Sequence, residues 1–556
     1  MRSGLVRRRR LGLAAGFVVV SVAVSACTDA KDQGDATVLP SDRPSVVGEA
    51  TGTMDTLTWA LPLGEPNTID PPNTAYYSSG LVANNVCESL LRLNADYSIS
   101  DGLASLSEPS PLTLRLTLRT DVTFWDGTPM TSADVVWSLE HTRESIVGPL
   151  YQNVKSIRAV DRHTVELDMI RPDLLLPKEF ASFSASVQEK KFSEQAGARL
   201  GTPGTGVMCT GPYEFGSWEP GAGITLTANP NYWDTSRAAK ASTVNLKFLT
   251  DSSALGQALK TGGVDGAYEV PAALVPALND VDAGTLTLGS PSQQYVGLSP
   301  MRTDGPLNTP DLRKAFYMTI SRSDLAKGPF HGAAEPNYTA LNTSAWDNPS
   351  LDDADRAQWR QAYDGFANER KDWGSSAAIA EAKQLAKSAG YDNEPITLAV
   401  PAGDQTFSQM AALIGQQAGK AGFKVKIRAL DPASYSAATT DPAARADIDL
   451  YLNLSFNVAP DPLEAVTTFV PGTYFNFIGY DNPEVTSLID RARTTNDSAS
   501  AAGDLIAAQA KYEENYGFQA LVQLNEISFL KKGLGGMTTS FAYLNQPSLA
   551  SIGPQQ

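Results

Sequence analysis

The chain has 556 residues, of which 42% are hydrophobic, 8% aromatic and 19% charged, enough for two or three lobes around a sizeable core and too apolar for wholesale disorder. Its formal net charge is −17, and five of its cations sit in the first ten residues, so the body without them stands at −22. Such a body repels phosphate backbones, which excludes a nucleic-acid binder.

The amino terminus reads as an address. Arg2 and Arg7, Arg8, Arg9 and Arg10 precede an apolar run over residues 11–23, then the small residues Ser25 and Ala26. That is the pattern of a secretory signal, and the run is shorter than the ~20 residues a membrane span needs. Val24-Ser25-Ala26-Cys27 resembles a bacterial lipobox; the resemblance implies that 1–26 is a lipoprotein signal peptide and Cys27 the lipidated first mature residue, a plain signal peptide with an accidental cysteine being the other reading. The arginine run also admits twin-arginine export beside the general secretory route. Residues 27–55, rich in Asp, Ser, Thr, Gly and Pro, are expected to be a flexible tether. The body is then held at the outer face of the cell membrane, in an oxidising space. There Cys87 and Cys209 can form a disulfide; two separate buried thiols are the other reading. Three cysteines are too few for a disulfide scaffold and wrongly spaced for a zinc ribbon.

In the body, residues 56–61 open as a strand. Residues 112–118 alternate leucines with Thr113, Arg115 and Thr117, the period of a half-buried strand. A turn at Phe124-Trp125-Asp126-Gly127-Thr128-Pro129 leads into a helix, with Thr131 and Asp134 at capping-box spacing and Val135, Val136 and Leu139 as its apolar stripe. Residues 164–169, 224–228 and 244–249 add strands. Further on, Thr309-Pro310 starts a helix with Leu312, Ala315, Phe316 and Ile320 on one face. Residues 376–389 are helical, with Gly390 as the stop. A strand at 396–400, a helix at 407–421 and a strand at 423–430 make a βαβ unit and a locally parallel pair. In that last strand Phe423, Val425 and Ile427 alternate with Lys424, Lys426 and Arg428. Asn482-Pro483 begins another helix, carrying Val485, Leu488, Ile489 and Ala492. The fold class is α/β, or mixed α+β, with at least two lobes.

Catalytic patterns are missing from the sequence. It has no Gly-x-Ser-x-Gly elbow, no His-Glu-x-x-His, no phosphate-cradling loop and no Cys-x-x-Cys. Its only histidines are His141, His163 and His331; the first two read as structural, while His331, in a loop, has the better claim to touch a ligand. The positive content is recognition without catalysis, with no cofactor and no metal site.

Six stretches carry a resemblance across about 500 residues. They are Asn85-Val86-Cys87-Glu88-Ser89-Leu90-Leu91; the turn from Phe124 with Ala133-Asp134-Val135-Val136-Trp137-Ser138-Leu139; Cys209-Thr210-Gly211-Pro212-Tyr213; Asn229-Pro230-Asn231-Tyr232-Trp233; Asp311-Leu312-Arg313-Lys314-Ala315; and Tyr480-Asp481-Asn482-Pro483-Glu484-Val485. In this order they resemble the extracytoplasmic solute-binding proteins of ABC importers, the dipeptide- and oligopeptide-binding type (family 5). The resemblance implies a two-lobed body with two chain crossings that closes on a peptide or related small polar solute and hands it to permease subunits. It implies lobe one at 56–298 plus 521–556, lobe two at 299–520, and a monomer. An oligosaccharide, metal-chelate or haem receptor of the same fold is an alternative, and a secreted hydrolase is a rival from another class.

Peptide-binding relatives hold the ligand's α-ammonium with an Asp in a Trp-x-x-Asp-x-x-(Asp/Glu)-Pro segment. The matching segment here runs from Ser455 to Pro462 and places Val458 at the Asp position. Val cannot neutralise a cation, so Asn457 or another acid must supply the contact, or the ligand carries no ammonium there. The residues the resemblance brings to the ligand are Tyr76, Tyr77, Thr210, Gly211, Tyr295, Ser455, Phe456 and Asn457. Trp125, Trp137 and Trp233 are expected in the core, and Asp461 is expected to fix its own loop.

Overall fold

The computed structural model describes residues 45–74, 77–346, 351, 353–457, 459, 461–473, 476–495 and 497–555. Residues 1–26, expected to be a signal peptide, and Cys27, Tyr76 and Val458 lie outside the described residues. The stretch expected as a tether is docked from Val46 onward: Val46–Val47 pairs antiparallel with Met537–Thr538, and Thr51 and Gly52 donate to the Pro554 carbonyl.

The period-2 segments fold as expected. In Thr113–Leu118 the leucines at 114, 116 and 118 are buried while Arg115 and Thr117 face solvent, each buried leucine contributing roughly 1.5–3 kcal/mol relative to exposure. This strand joins Ala104–Ser110, Thr164–Met169 and Val154–Asp161 in a four-stranded antiparallel sheet. The neighbouring helix Ser132–Arg143 starts where Asp134 reaches back to accept from the Thr131 N–H at 2.9 Å.

An 11-stranded sheet runs through the described body. From one edge its order is Val425–Leu430, Ile396–Pro401, Leu450–Phe456, Gly284–Pro300, Gln519–Lys531, Gly266–Ala267, Met54–Leu61, Ala241–Phe248, Gly223–Ala228 and Tyr213–Glu219, with Ala334–Pro336 branching off Gln519–Lys531. The expected βαβ unit is present, with Ile396–Pro401 parallel to Val425–Leu430 and Gln405–Ala421 between them. Val425–Leu430 is the sheet's edge, so of the alternating apolar residues Ile427 stays 43% exposed while Phe423 just before the strand is buried. Thr309 caps Pro310–Tyr317 by accepting from the Leu312 N–H, and Asn482 caps Pro483–Thr494 from the Glu484 N–H.

The apolar interior gathers in separate clusters. One draws on residues between Leu57 and Leu246 plus Leu530 to Ile552; the largest of the others joins Leu255 to Leu278 with side chains between Leu288 and Phe529. The longest strands, Gly284–Pro300 and Gln519–Lys531, lie side by side, antiparallel, in the middle of the sheet.

Candidate functional site

Tyr295, in the central strand, faces Ser455 on one neighbour and Gln523 on the other. Where Leu450–Phe456 ends, the ring of Phe456 meets Tyr77, the first residue of the helix Tyr77–Val86, with centroids 4.7 Å apart. Phe541, from the carboxyl-terminal segment, lies 5.9 Å from Tyr77 and 5.7 Å from Phe456. The run continues through Tyr543 to Tyr268, stacked at 4.0 Å, and on to Trp59 at 5.0 Å. Beside Tyr77, Tyr268 and Tyr543 is a cavity of about 10 Å³, room for one water.

Two carboxylates sit under this aromatic run. Glu269 follows the short strand Gly266–Ala267 and adopts φ of 54°, a left-handed backbone that is uncommon outside glycine and costs about 1 kcal/mol or more. Its Oε1 accepts from Gln294 Nε2 at 2.6 Å and from the Tyr543 hydroxyl. Glu526, 1% exposed, projects from Gln519–Lys531; its Oε1 accepts from the Glu269 N–H at 3.4 Å, and its Oε2 has no partner among the described residues. Burial pushes Glu269 up to about 7, with its two hydrogen bonds pulling the other way. Burial, and then the charge of Glu269, push Glu526 well above the carboxylate range. Tyr77, its hydroxyl without a partner, is also pushed up, by burial and then by the charges of Glu269 and Glu526.

Of the residues picked from sequence, Tyr77, Tyr295, Ser455, Phe456 and Asn457 come together here. Asn457 is 3% exposed; its N–H donates to the Gln293 carbonyl, and its Nδ2 finds no acceptor among the described residues. Thr210 and Gly211 pack elsewhere. Thr210 Oγ1 donates to Glu88 Oε2 at 3.2 Å, and a Cβ on Gly211 would lie 2.4 Å from the Val86 carbonyl oxygen. The close backbone approach that requires glycine is therefore made to Val86. Beside them Cys87 and Cys209 are joined in a disulfide, Cα atoms 4.9 Å apart. Asp461 fixes its loop, accepting from the Leu463 N–H at 2.8 Å and pairing with Lys178. His331 occupies a turn at φ 51°, its N–H on the Gly328 carbonyl.

Glu269 and Glu526 escaped the sequence reading. A signal was present: Glu526 interrupts a strand whose neighbours Leu521, Val522, Ile527 and Phe529 are buried, and Glu269 sits between Tyr268 and Val270, also buried. An acid inside an apolar run is worth a question wherever it occurs.

The profile of a family described as bacterial extracellular solute-binding proteins, family 5 Middle, matches residues 100–477. The glutathione-binding protein GsiB of Escherichia coli O1:K1 is 25% identical over 489 residues, covering 84% of this chain and 89% of that protein. Among solved structures, DppA from Helicobacter pylori in complex with peptide STSA superposes with a TM-score of 0.76 at 18% identity, covering 91% of this chain and 99% of that one. NikA from Staphylococcus aureus in complex with Ni(L-His)2 gives 0.74 at 18%, covering 88% and 98%. No helix among the described residues is long and apolar enough to cross a membrane.

Proposed function

Since the chain belongs to the family 5 bacterial extracellular solute-binding proteins, the substrate-binding receptors of ABC importers, we propose that it captures peptides between two lobes and delivers them to a permease without altering them. A relative that binds glutathione, a peptide, supports the cargo class, and a Cys27 lipid anchor would hold the receptor, as a monomer, near its transporter.

The observation that carries the reading is the contact of Tyr77 with Phe456. It joins an early helix to the end of a strand nearly 400 residues later, beside the two central strands that we take as the crossings. A cavity with room for one water admits no peptide, so capture requires this contact to part and re-form around cargo. Ion pairs between the stretches we assign to the two lobes are suited to hold the closed state: Asp173 with Arg493 at 2.9 Å, Arg171 with Asp490 at 2.6 Å, and Lys178 with Asp461. Ligand that touches both lobes only when they are shut shifts the open–closed balance by its differential affinity.

The test is native mass spectrometry of freshly purified protein, then denaturation to identify what it releases; peptides are expected. Replacing Phe456 and Asn457 together by alanine should weaken binding of the released molecules at least tenfold by calorimetry, with the melting temperature retained. Unchanged affinity removes these two residues from the site, and chemical conversion of the released molecule by the protein overturns the receptor reading.

A further inference from the structure

Buried acids in this protein usually meet a cation: Asp173 meets Arg493, Asp449 meets Arg302, Asp461 meets Lys178 and Glu513 meets Arg370. Buried Glu526 and its half-buried neighbour Glu269 do not. They are close enough for the backbone of one to donate to the carboxylate of the other, and neither forms an ion pair among the described residues. The donors of Tyr543 and Gln294 satisfy Glu269, whereas Glu526 Oε2 is left bare at 1% residue exposure. The Tyr77 hydroxyl, inside the field of both carboxylates, is bare as well. A left-handed backbone at Glu269 keeps that carboxylate at the site against its local preference.

A buried carboxylate without a counter-charge is costly, and an aromatic face beside it is the second feature that favours a cation. Tyr77, Tyr268 and Tyr543 supply such faces around the same cavity that Glu269 lines. We infer that Glu269 and Glu526 together seat a cationic group of the cargo, an ammonium or guanidinium, between the acid pair and the ring of Tyr77. The inference rests on the receptor reading above, and gives the duty that Val458 cannot perform to acids on other elements. It makes the cargo a peptide with a free amino terminus or a basic side chain.

Calorimetry at pH 7.5 with three probes tests it: trialanine, which carries only an α-ammonium; N-acetyl-lysyl-dialanine, which carries only a side-chain ammonium; and N-acetyl-trialanine, which carries none. At least one cationic probe should bind tenfold or more tightly than the uncharged one, and which of them does so identifies the ammonium. In Glu526→Gln and Glu269→Gln, isosteric and uncharged, the gap should shrink below threefold while the melting temperature holds or rises. Equal binding of all three probes to the wild type, or a gap that persists in both variants, overturns the cation seat and leaves the receptor reading standing; the pair would then be two carboxyls sharing a proton for structural reasons. If no probe binds and the purified chain releases no small molecule, the receptor reading falls and the inference with it.

Discussion

Glu88 and the pair of buried Glu526 with half-buried Glu269 are carboxylates in one protein with opposite surroundings. Glu88 accepts from Tyr232 Oη at 2.7 Å, Trp233 Nε1 at 2.8 Å and Thr210 Oγ1 at 3.2 Å, with the Arg92 guanidinium 3.7 Å away. Burial raises its pKa, and all four of those neighbours pull it back down. Glu269 and Glu526 have donors on one side only and, among the described residues, no ion pair, and Glu526 feels the charge of Glu269. A fully satisfied network fixes its surroundings, while a half-satisfied one raises the energy of the empty protein. Glu88 thus binds together the Cys87, Thr210 and Tyr232 segments, and the pair waits for a partner.

The largest expected effect breaks the comparison if it fails. Glu88→Ala leaves three donors and a cation without their acceptor and should destabilise the protein by about 4 kcal/mol in urea unfolding. Glu526→Gln should cost nothing at pH 8. Equal losses would mean the two regions are built for the same purpose. Next in size, replacing Cys87 and Cys209 by serine removes a crosslink over 122 residues and should cost about 3 kcal/mol. It acts on the Glu88 region, so cargo affinity should stay within threefold of wild type.

Much of the fold was legible because its signals are local. The leucines of Thr113–Leu118 and the caps at Thr309 and Asn482 report on residues a few positions apart, and these elements formed where expected. The alternation around Ile427 does not foretell its exposure, because edge position is decided by strand order, which no local pattern encodes. The site divides the same way. Tyr77 and Phe456 were legible through their places in a family pattern. Gly211 was legible as a glycine that something approaches, but that the neighbour is Val86 depends on the fold. Glu269 meets Glu526 across a separation of 257 residues, through a left-handed turn on one side and strand pairing on the other. Neither device leaves a mark in the residues beside it beyond an acid in apolar company.

A third prediction separates the regions by pH. Glu269 is pushed up to about 7 from an ordinary value of 4.5, so between these pH values the folded chain keeps a proton that the unfolded chain has lost. Stability from this group is therefore complete below about 4.5 and drains as pH rises through 7. Glu526 adds in the same direction, as does Glu179, also pushed up to about 7 by burial. The melting temperature of cargo-free protein should fall between pH 5.5 and 8, and the Glu269→Gln, Glu526→Gln double variant should show a shallower fall, carried by Glu179 and by Glu88 and His141, which are also raised. An identical slope in the double variant would mean that the two carboxyls titrate normally.

The smallest effect is the most discriminating, because it makes one deletion in both places. Tyr232→Phe and Tyr543→Phe each remove a hydroxyl that donates to a carboxylate. Around Glu88 the loss leaves Trp233, Thr210 and Arg92 in place, and the remaining network holds the charge at a cost of about 1 kcal/mol. Around Glu269 only the Gln294 amide remains, and the carboxyl answers by taking up a proton more readily, so its titration moves further upward. The Tyr543→Phe penalty should then be about 1 kcal/mol at pH 8 and fade below pH 6, where the carboxyl is neutral and the lost donor matters less. Bound cargo should suppress that penalty if an ammonium takes over the hydroxyl's work, and should leave the Tyr232→Phe penalty untouched. Chemical denaturation at the two pH values, with and without trialanine, reads all four combinations, and a Tyr543→Phe penalty indifferent to both pH and ligand would place Glu269 in the same class as Glu88.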